Sequence, residues 1–119
     1  MPTRITKAFQ FDAAHFLPNV PEGHKCGRMH GHSYRVVLGL EGELDPDLGW
    51  VQDYGELKQA FRPLMDRFDH QVLNEIPGLE NPTAELLAVF VYQQLKPALP
   101  LLADVTVCES PTAEAIYRP

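Results

Sequence analysis

The sequence predicts an α+β fold: two strands, two helices and two closing strands, forming an antiparallel sheet with both helices on one face. Three observations carry this. Runs that read as strands lie only at the two ends of the chain. Helical spacing of apolar residues is confined to the middle. The 11 prolines and eight glycines punctuate the chain between those runs. Strands and helices are therefore segregated rather than alternating, which favours antiparallel pairing.

Residues 3–14 alternate, with Ile5, Phe9 and Phe11 on one parity, and read as the first strand. Residues 16–30 hold two prolines, two glycines, His24 and Cys26, and read as a loop, the usual home of functional groups. Residues 31–43, rich in β-branched and aromatic side chains, read as a second long strand. Asp53, with Glu56 three residues on, resembles a helix start. Leu57, Ala60, Phe61, Leu64, Met65 and Phe68 follow at helical spacing, and Pro63 inside that run should kink or split the helix. Asn81 reads as the cap of a second helix with Pro82 at its first position. Leu87, Phe90, Val91 and Leu95 form its apolar stripe, and Pro97 with Pro100 ends it. Residues 103–109 and 114–118 read as the closing strands.

A chain of 119 residues suits one domain, here spanning 1–119. No apolar run approaches the roughly 18 residues needed to cross a bilayer, so no membrane partner is expected. The start has no apolar stretch of the kind that marks secretion. Two cysteines give no disulfide framework, and reduced thiols in a cytoplasmic setting are expected. A net charge of −6 offers no basic footprint for nucleic acid. It also means that any phosphate group would need a local basic pocket.

Three of the five histidines form a pattern with metal chemistry. His30 and His32, two apart at the start of a strand, point to one face, and Gly31 between them allows close backbone approach. His15 ends the first strand on the parity of Phe9 and Phe11, where an antiparallel partner brings it beside the other two. Three imidazoles suit zinc with a fourth position open, the arrangement of catalytic rather than structural sites. Iron and copper also accept imidazole. Zinc fits availability and the lack of other ligand types.

Cys26 precedes His30 by four residues, and Lys25 and Arg28 beside it favour a thiolate. Cys26 is then either a fourth ligand, closing the site, or a base or nucleophile next to an open one. Asp69 and His70 make a second candidate pair, since a carboxylate raises and orients imidazole basicity. Glu109 shares the parity of Val105 and Val107, so a carboxylate faces the core side, suited to gripping a guanidine-like edge with paired hydrogen bonds. Cys108 points to the other face and reads as packing.

Taken together, Phe11-Asp12-Ala13-Ala14-His15 and Cys26-x-x-x-His30-Gly31-His32 resemble the 6-pyruvoyltetrahydropterin synthase family. The similarity continues through Gly49-Trp50-Val51-Gln52-Asp53-Tyr54, Leu73-Asn74, Asn81-Pro82-Thr83-Ala84-Glu85 and Glu109-Ser110. The three-residue gap before the H-G-H motif resembles the bacterial 6-carboxy-5,6,7,8-tetrahydropterin synthase branch, which serves queuosine (7-deazapurine) biosynthesis. The resemblance implies the tunnelling fold, a ββααββ unit whose sheets join into an oligomeric barrel. It implies a homo-oligomer, a hexamer of two trimers, with active sites between subunits.

It further implies a lyase acting on a pterin triphosphate, 7,8-dihydroneopterin triphosphate, with 6-carboxy-5,6,7,8-tetrahydropterin, acetaldehyde and triphosphate as products. His15, His30 and His32 would hold one zinc ion per subunit. Cys26 would be the general base, with Asp69 and His70 completing a proton relay. Glu109 would hold the pterin edge, with Thr83 assisting. Lys25 and Arg28 are the candidate partners of the triphosphate. Two other activities fit the same residues: a 6-pyruvoyltetrahydropterin synthase that retains all side-chain carbons, and a zinc hydrolase.

Overall fold

A computed structural model describes residues 1–119. Strand β1 (Pro2–His15) and strand β2 (His30–Glu43) are followed by helix α1 (Tyr54–Phe68) and helix α2 (Ala84–Leu95), then β3 (Leu102–Ser110) and β4 (Ala113–Tyr117). The sheet is antiparallel throughout, in the order β1-β2-β3-β4. This is the predicted ββααββ arrangement. No helix is long and apolar enough to cross a membrane.

The two-residue alternation of the strands decides which side the helices cover. Phe11, Ala13 and His15 on β1, Tyr34, Val36, Leu38 and Leu40 on β2, and Val105 and Val107 on β3 are buried. They meet Leu57, Phe61, Leu64 and Phe68 of α1 and Leu87, Ala88, Phe90, Val91 and Leu95 of α2 in one core cluster. The opposite, outer face carries Asp12, Ser33 and Arg35, all exposed.

Asp53 caps α1, its carboxylate accepting from the Gly55 N–H. Pro63 does not split the helix. Its ring and the Gln59 carbonyl it leaves unpaired lie on the exposed side, where water can satisfy that oxygen. The second helix starts later than expected. Thr83, not Asn81, is its cap, with Oγ1 accepting from the Leu86 N–H at 3.1 Å, so Pro82 precedes the helix instead of opening it. The reason is competition between two polar residues either side of Pro82, and the hydroxyl that reaches the third residue on wins.

On the outer face, Arg4 makes a paired contact with Asp104, 2.5 and 2.6 Å between heavy atoms, although Asp104 is only 1% exposed. Gly39 lies between them, and a Cβ there would press on both side chains. The β-bulge at Gly39/Leu40 marks the same spot.

Candidate metal centre and adjoining cavity

The β1–β2 register pairs His15 with His30 and Ala13 with His32. With all three on core-facing parity, the ligand atoms of His15, His30 and His32 lie within 4.8 Å of one another. His15 is the last residue of β1 and His30 the first of β2, so both sit in the ladder itself.

Backbone carbonyls fix two of the rings. His15 Nδ1 lies 2.8 Å from the Pro82 carbonyl, and His30 Nδ1 lies 2.7 Å from the Arg28 carbonyl. A carbonyl oxygen only accepts, so each Nδ1 carries the proton and each Nε2 presents a lone pair. Those two Nε2 atoms face each other at 3.0 Å. The third, His32 Nε2, is buried and has no hydrogen-bond partner. Two opposed lone pairs and a buried orphan ring nitrogen are unfavourable alone, and a cation among them can satisfy all three. The donor set is three imidazole nitrogens, which suits zinc or a similar divalent ion. Burial lowers the His15 pKa first of all, against a smaller opposing effect from the Pro82 carbonyl, so this ring favours the neutral, metal-binding form.

Cys26 lies in a 3₁₀ turn (Lys25–Gly27) and is half-buried. Its carbonyl accepts from the Leu17 N–H at 2.8 Å and its N–H donates to His24 Nδ1 at 3.0 Å. Its sulfur is outside the cluster of three ligand groups. Lys25 and Arg28 are exposed, and neither side chain makes an ion pair. Arg28 faces a separate hollow with Phe16, Val20 and Glu22.

Glu109 takes the core-facing side of β3, with Oε2 3.9 Å from His32 Nε2. It and Thr83 line one cavity of about 580 Å³, between the start of α2 and strand β4. The expected pairing of Glu109 with Thr83 is therefore spatial. Asp69 and His70 also interact, at 3.0 Å between Oδ1 and Nδ1. The Asp12 N–H, then the His70 ring, hold the Asp69 carboxyl below its ordinary value. This pair docks on the free edge of β1: the His70 N–H donates to the Asp12 carbonyl at 2.6 Å, and Asp12 N–H donates to Asp69 Oδ1 at 3.1 Å. His70 opens onto a hollow shared with Asp12, Ser33 and His32 of the triad. Its ring nonetheless lies outside the cluster of three ligand groups.

Three contributors escaped the sequence reading: the Pro82 and Arg28 carbonyls, which have no letter of their own, and Tyr34. Tyr34 is wholly buried and its hydroxyl has no partner. Its core-facing position was legible, but its unpaired hydroxyl was not.

The fold and this site define an α+β protein with three histidines positioned to bind a metal ion, beside a cavity into which Glu85, Glu109 and Glu114 bring carboxylates. The chain belongs to the 6-pyruvoyl tetrahydropterin synthase family of enzymes, whose model matches residues 4–119. It is 40% identical to 6-carboxy-5,6,7,8-tetrahydropterin synthase of Synechocystis, over 95% of this chain and 91% of that protein. It is 29% identical to the Bacillus subtilis protein of the same name, over 97% and 84%. Among solved structures, 6-pyruvoyl tetrahydropterin synthase of Caenorhabditis elegans superposes with a TM-score of 0.92 at 27% identity, covering 100% of this chain and 96% of that one.

Proposed function

We propose that this protein is a zinc-dependent 6-carboxy-5,6,7,8-tetrahydropterin synthase. It would convert 7,8-dihydroneopterin triphosphate to 6-carboxy-5,6,7,8-tetrahydropterin, acetaldehyde and triphosphate, as a cytoplasmic single-domain lyase in queuosine biosynthesis. The observation that carries the metal requirement is the pair of inward-facing Nε2 lone pairs of His15 and His30 at 3.0 Å. The relatives from Synechocystis and Bacillus subtilis favour the carboxy product.

In this reading His15, His30 and His32 hold one zinc ion. Zinc, when bound, supplies a Lewis acid that polarises side-chain hydroxyls and acidifies the neighbouring C–H bonds. Cys26 is the general base, close in sequence to His30 but outside the ligand cluster, and so free to take a proton. Glu109 accepts from the guanidine-like edge of the pterin, with the Thr83 hydroxyl in the same cavity. Lys25 and Arg28, exposed cations without partners, receive the triphosphate. Asp69 and His70 relay protons from a neighbouring copy, since neither side chain joins the ligand cluster of its own chain. A homo-oligomer, a hexamer of two trimers, brings the two halves together by pairing free sheet edges.

Incubation of zinc-loaded protein with dihydroneopterin triphosphate, followed by mass spectrometry, tests the reaction. Acetaldehyde with the carboxy product is expected. A pyruvoyl product without acetaldehyde overturns the branch and selects the 6-pyruvoyltetrahydropterin reading, which the Caenorhabditis elegans likeness favours. Mixing inactive Cys26→Ala and His70→Ala proteins tests the shared site. Partial recovery of turnover is expected, and no recovery after subunit exchange refutes it.

A further inference from the structure

Only two buried side-chain polar atoms in the chain lack a hydrogen-bond partner: His32 Nε2 and the Tyr34 hydroxyl. They lie two residues apart on the same face of β2. The triad explains the nitrogen but not the hydroxyl, because the Tyr34 side chain stands beside the triad rather than in it. Its ring lies edge-on to His32 and His15, at 5.5 and 5.9 Å between centroids, and stacks on Phe11 from the other side. An unpaired buried hydroxyl is a standing penalty, so a partner in another state of the site is the natural explanation.

The strands point to that partner. The β2–β3 ladder ends with Val36 on Val107 and Arg35 on Cys108, and the next residue along each strand is Tyr34 and Glu109. Both side chains face the core. A phenol hydroxyl donates and a carboxylate only accepts, so the two groups are complementary. Glu109 meanwhile stands 3.9 Å from His32 Nε2, within reach of any cation that the triad holds. A carboxylate that close competes for the open fourth position, and taking it would close the site.

We propose that Tyr34 is the positioning residue for Glu109: with a cation on the three histidines, its buried hydroxyl donates to the Glu109 carboxylate and keeps that carboxylate off the metal and aimed at the Thr83 cavity. This rests on the metal-binding reading of the triad. It yields a change of opposite sign from the usual loss of a supporting residue, because removing the hydroxyl frees a ligand.

Zinc alone is the probe, titrated against a competing chelator into wild type, Tyr34→Phe, Glu109→Gln and the double variant. Tyr34→Phe should bind zinc about tenfold more tightly, the usual size of effects transmitted through groups that support a ligand. That gain should vanish in the double variant. Glu109→Gln alone should leave zinc affinity within about threefold of wild type, since the carboxylate is not a ligand. Unchanged or weaker zinc binding in Tyr34→Phe overturns the proposal, as does a gain that persists without Glu109. A loss of about tenfold or more in Glu109→Gln also overturns it, by showing that the carboxylate already ligates, and this arm stands even if Tyr34→Phe does not fold. Failure of the wild type to bind zinc is the distinct result that removes the metal reading itself.

Discussion

The metal should stabilise a fold that does not depend on it, and His32→Ala separates the two contributions. The 22 residues of the core cluster include no histidine, so the metal-free chain retains its packing. Zinc at a hundred times its dissociation constant adds about 2.7 kcal/mol by mass action. For a domain this size each kcal/mol raises Tm by roughly 4 °C, so saturation with zinc should raise Tm by about 10 °C. In the metal-free protein, His32→Ala removes the orphaned Nε2, a gain of about 1–3 kcal/mol. It also loses edge contacts of that ring with His15, His30 and Tyr34, about 0.5–1.5 kcal/mol each. The losses outweigh the gain only modestly, so the metal-free Tm of the variant should fall a few degrees below wild type, while its zinc-driven rise disappears. Melting followed by circular dichroism, with chelator and with zinc, reads both quantities. Collapse of the helical signal on chelation at room temperature refutes the reasoning by making the metal structural. An equal zinc-driven rise in His32→Ala refutes it by removing His32 from the site.

Cys26→Ala should retain stoichiometric zinc by elemental analysis while product formation drops by about 10²- to 10⁴-fold, the range for a lost general base; loss of the metal would make the thiol a ligand. Acid should destabilise the metal-free protein through His15. Its folded pKa lies below the ordinary 6.5, so the unfolded chain takes up the proton first and stability falls as pH drops through 6.5 toward the folded value, being fully present above it. Tm measured between about pH 7 and pH 5 checks this, and His15→Phe should flatten the profile. Gly39→Ala should force Arg4 and Asp104 apart, because the new Cβ would lie under 3.0 Å from both. Asp104 is buried but Arg4 is 36% exposed, so the loss should be about 1–3 kcal/mol in urea unfolding, below that of a fully buried pair. An unchanged midpoint would show that the pair contributes nothing.

What the sequence made legible was parity, and what it hid was pairing. Phe9, Phe11 and His15 share a parity in β1, and His30, His32 and Tyr34 share one in β2, so the direction of each side chain could be read from spacing alone. The facing of His15 onto His30 depends on a register across a long loop, and no local signal sets it. The same holds for Glu109, whose core-facing parity was visible while its place beside His32 and across a cavity from Thr83 was not. The second helix is capped by Thr83 rather than Asn81 because both residues, one on each side of Pro82, carry capping groups, and geometry chooses between them. The tautomers of His15 and His30 were beyond reach, because the Pro82 and Arg28 carbonyls that fix them belong to the backbone.

The backbone at His70 bears on the least local part of the proposal. It is the one non-glycine residue at positive φ, 60°. That conformation costs a residue with a Cβ about 1–2 kcal/mol, and glycine would adopt it freely. A merely solvated surface imidazole gives no return for the strain. The strain is locked in from both sides, by the His70 N–H on the Asp12 carbonyl and by Asp69 bridging the Asp12 N–H and the His70 ring. Segment 70–72 thereby lies along the free edge of β1, with Val72 bridging Ala14. The strained turn therefore holds an oriented imidazole where a second chain extending the sheet would arrive. A relay acting across a subunit boundary needs such a placement.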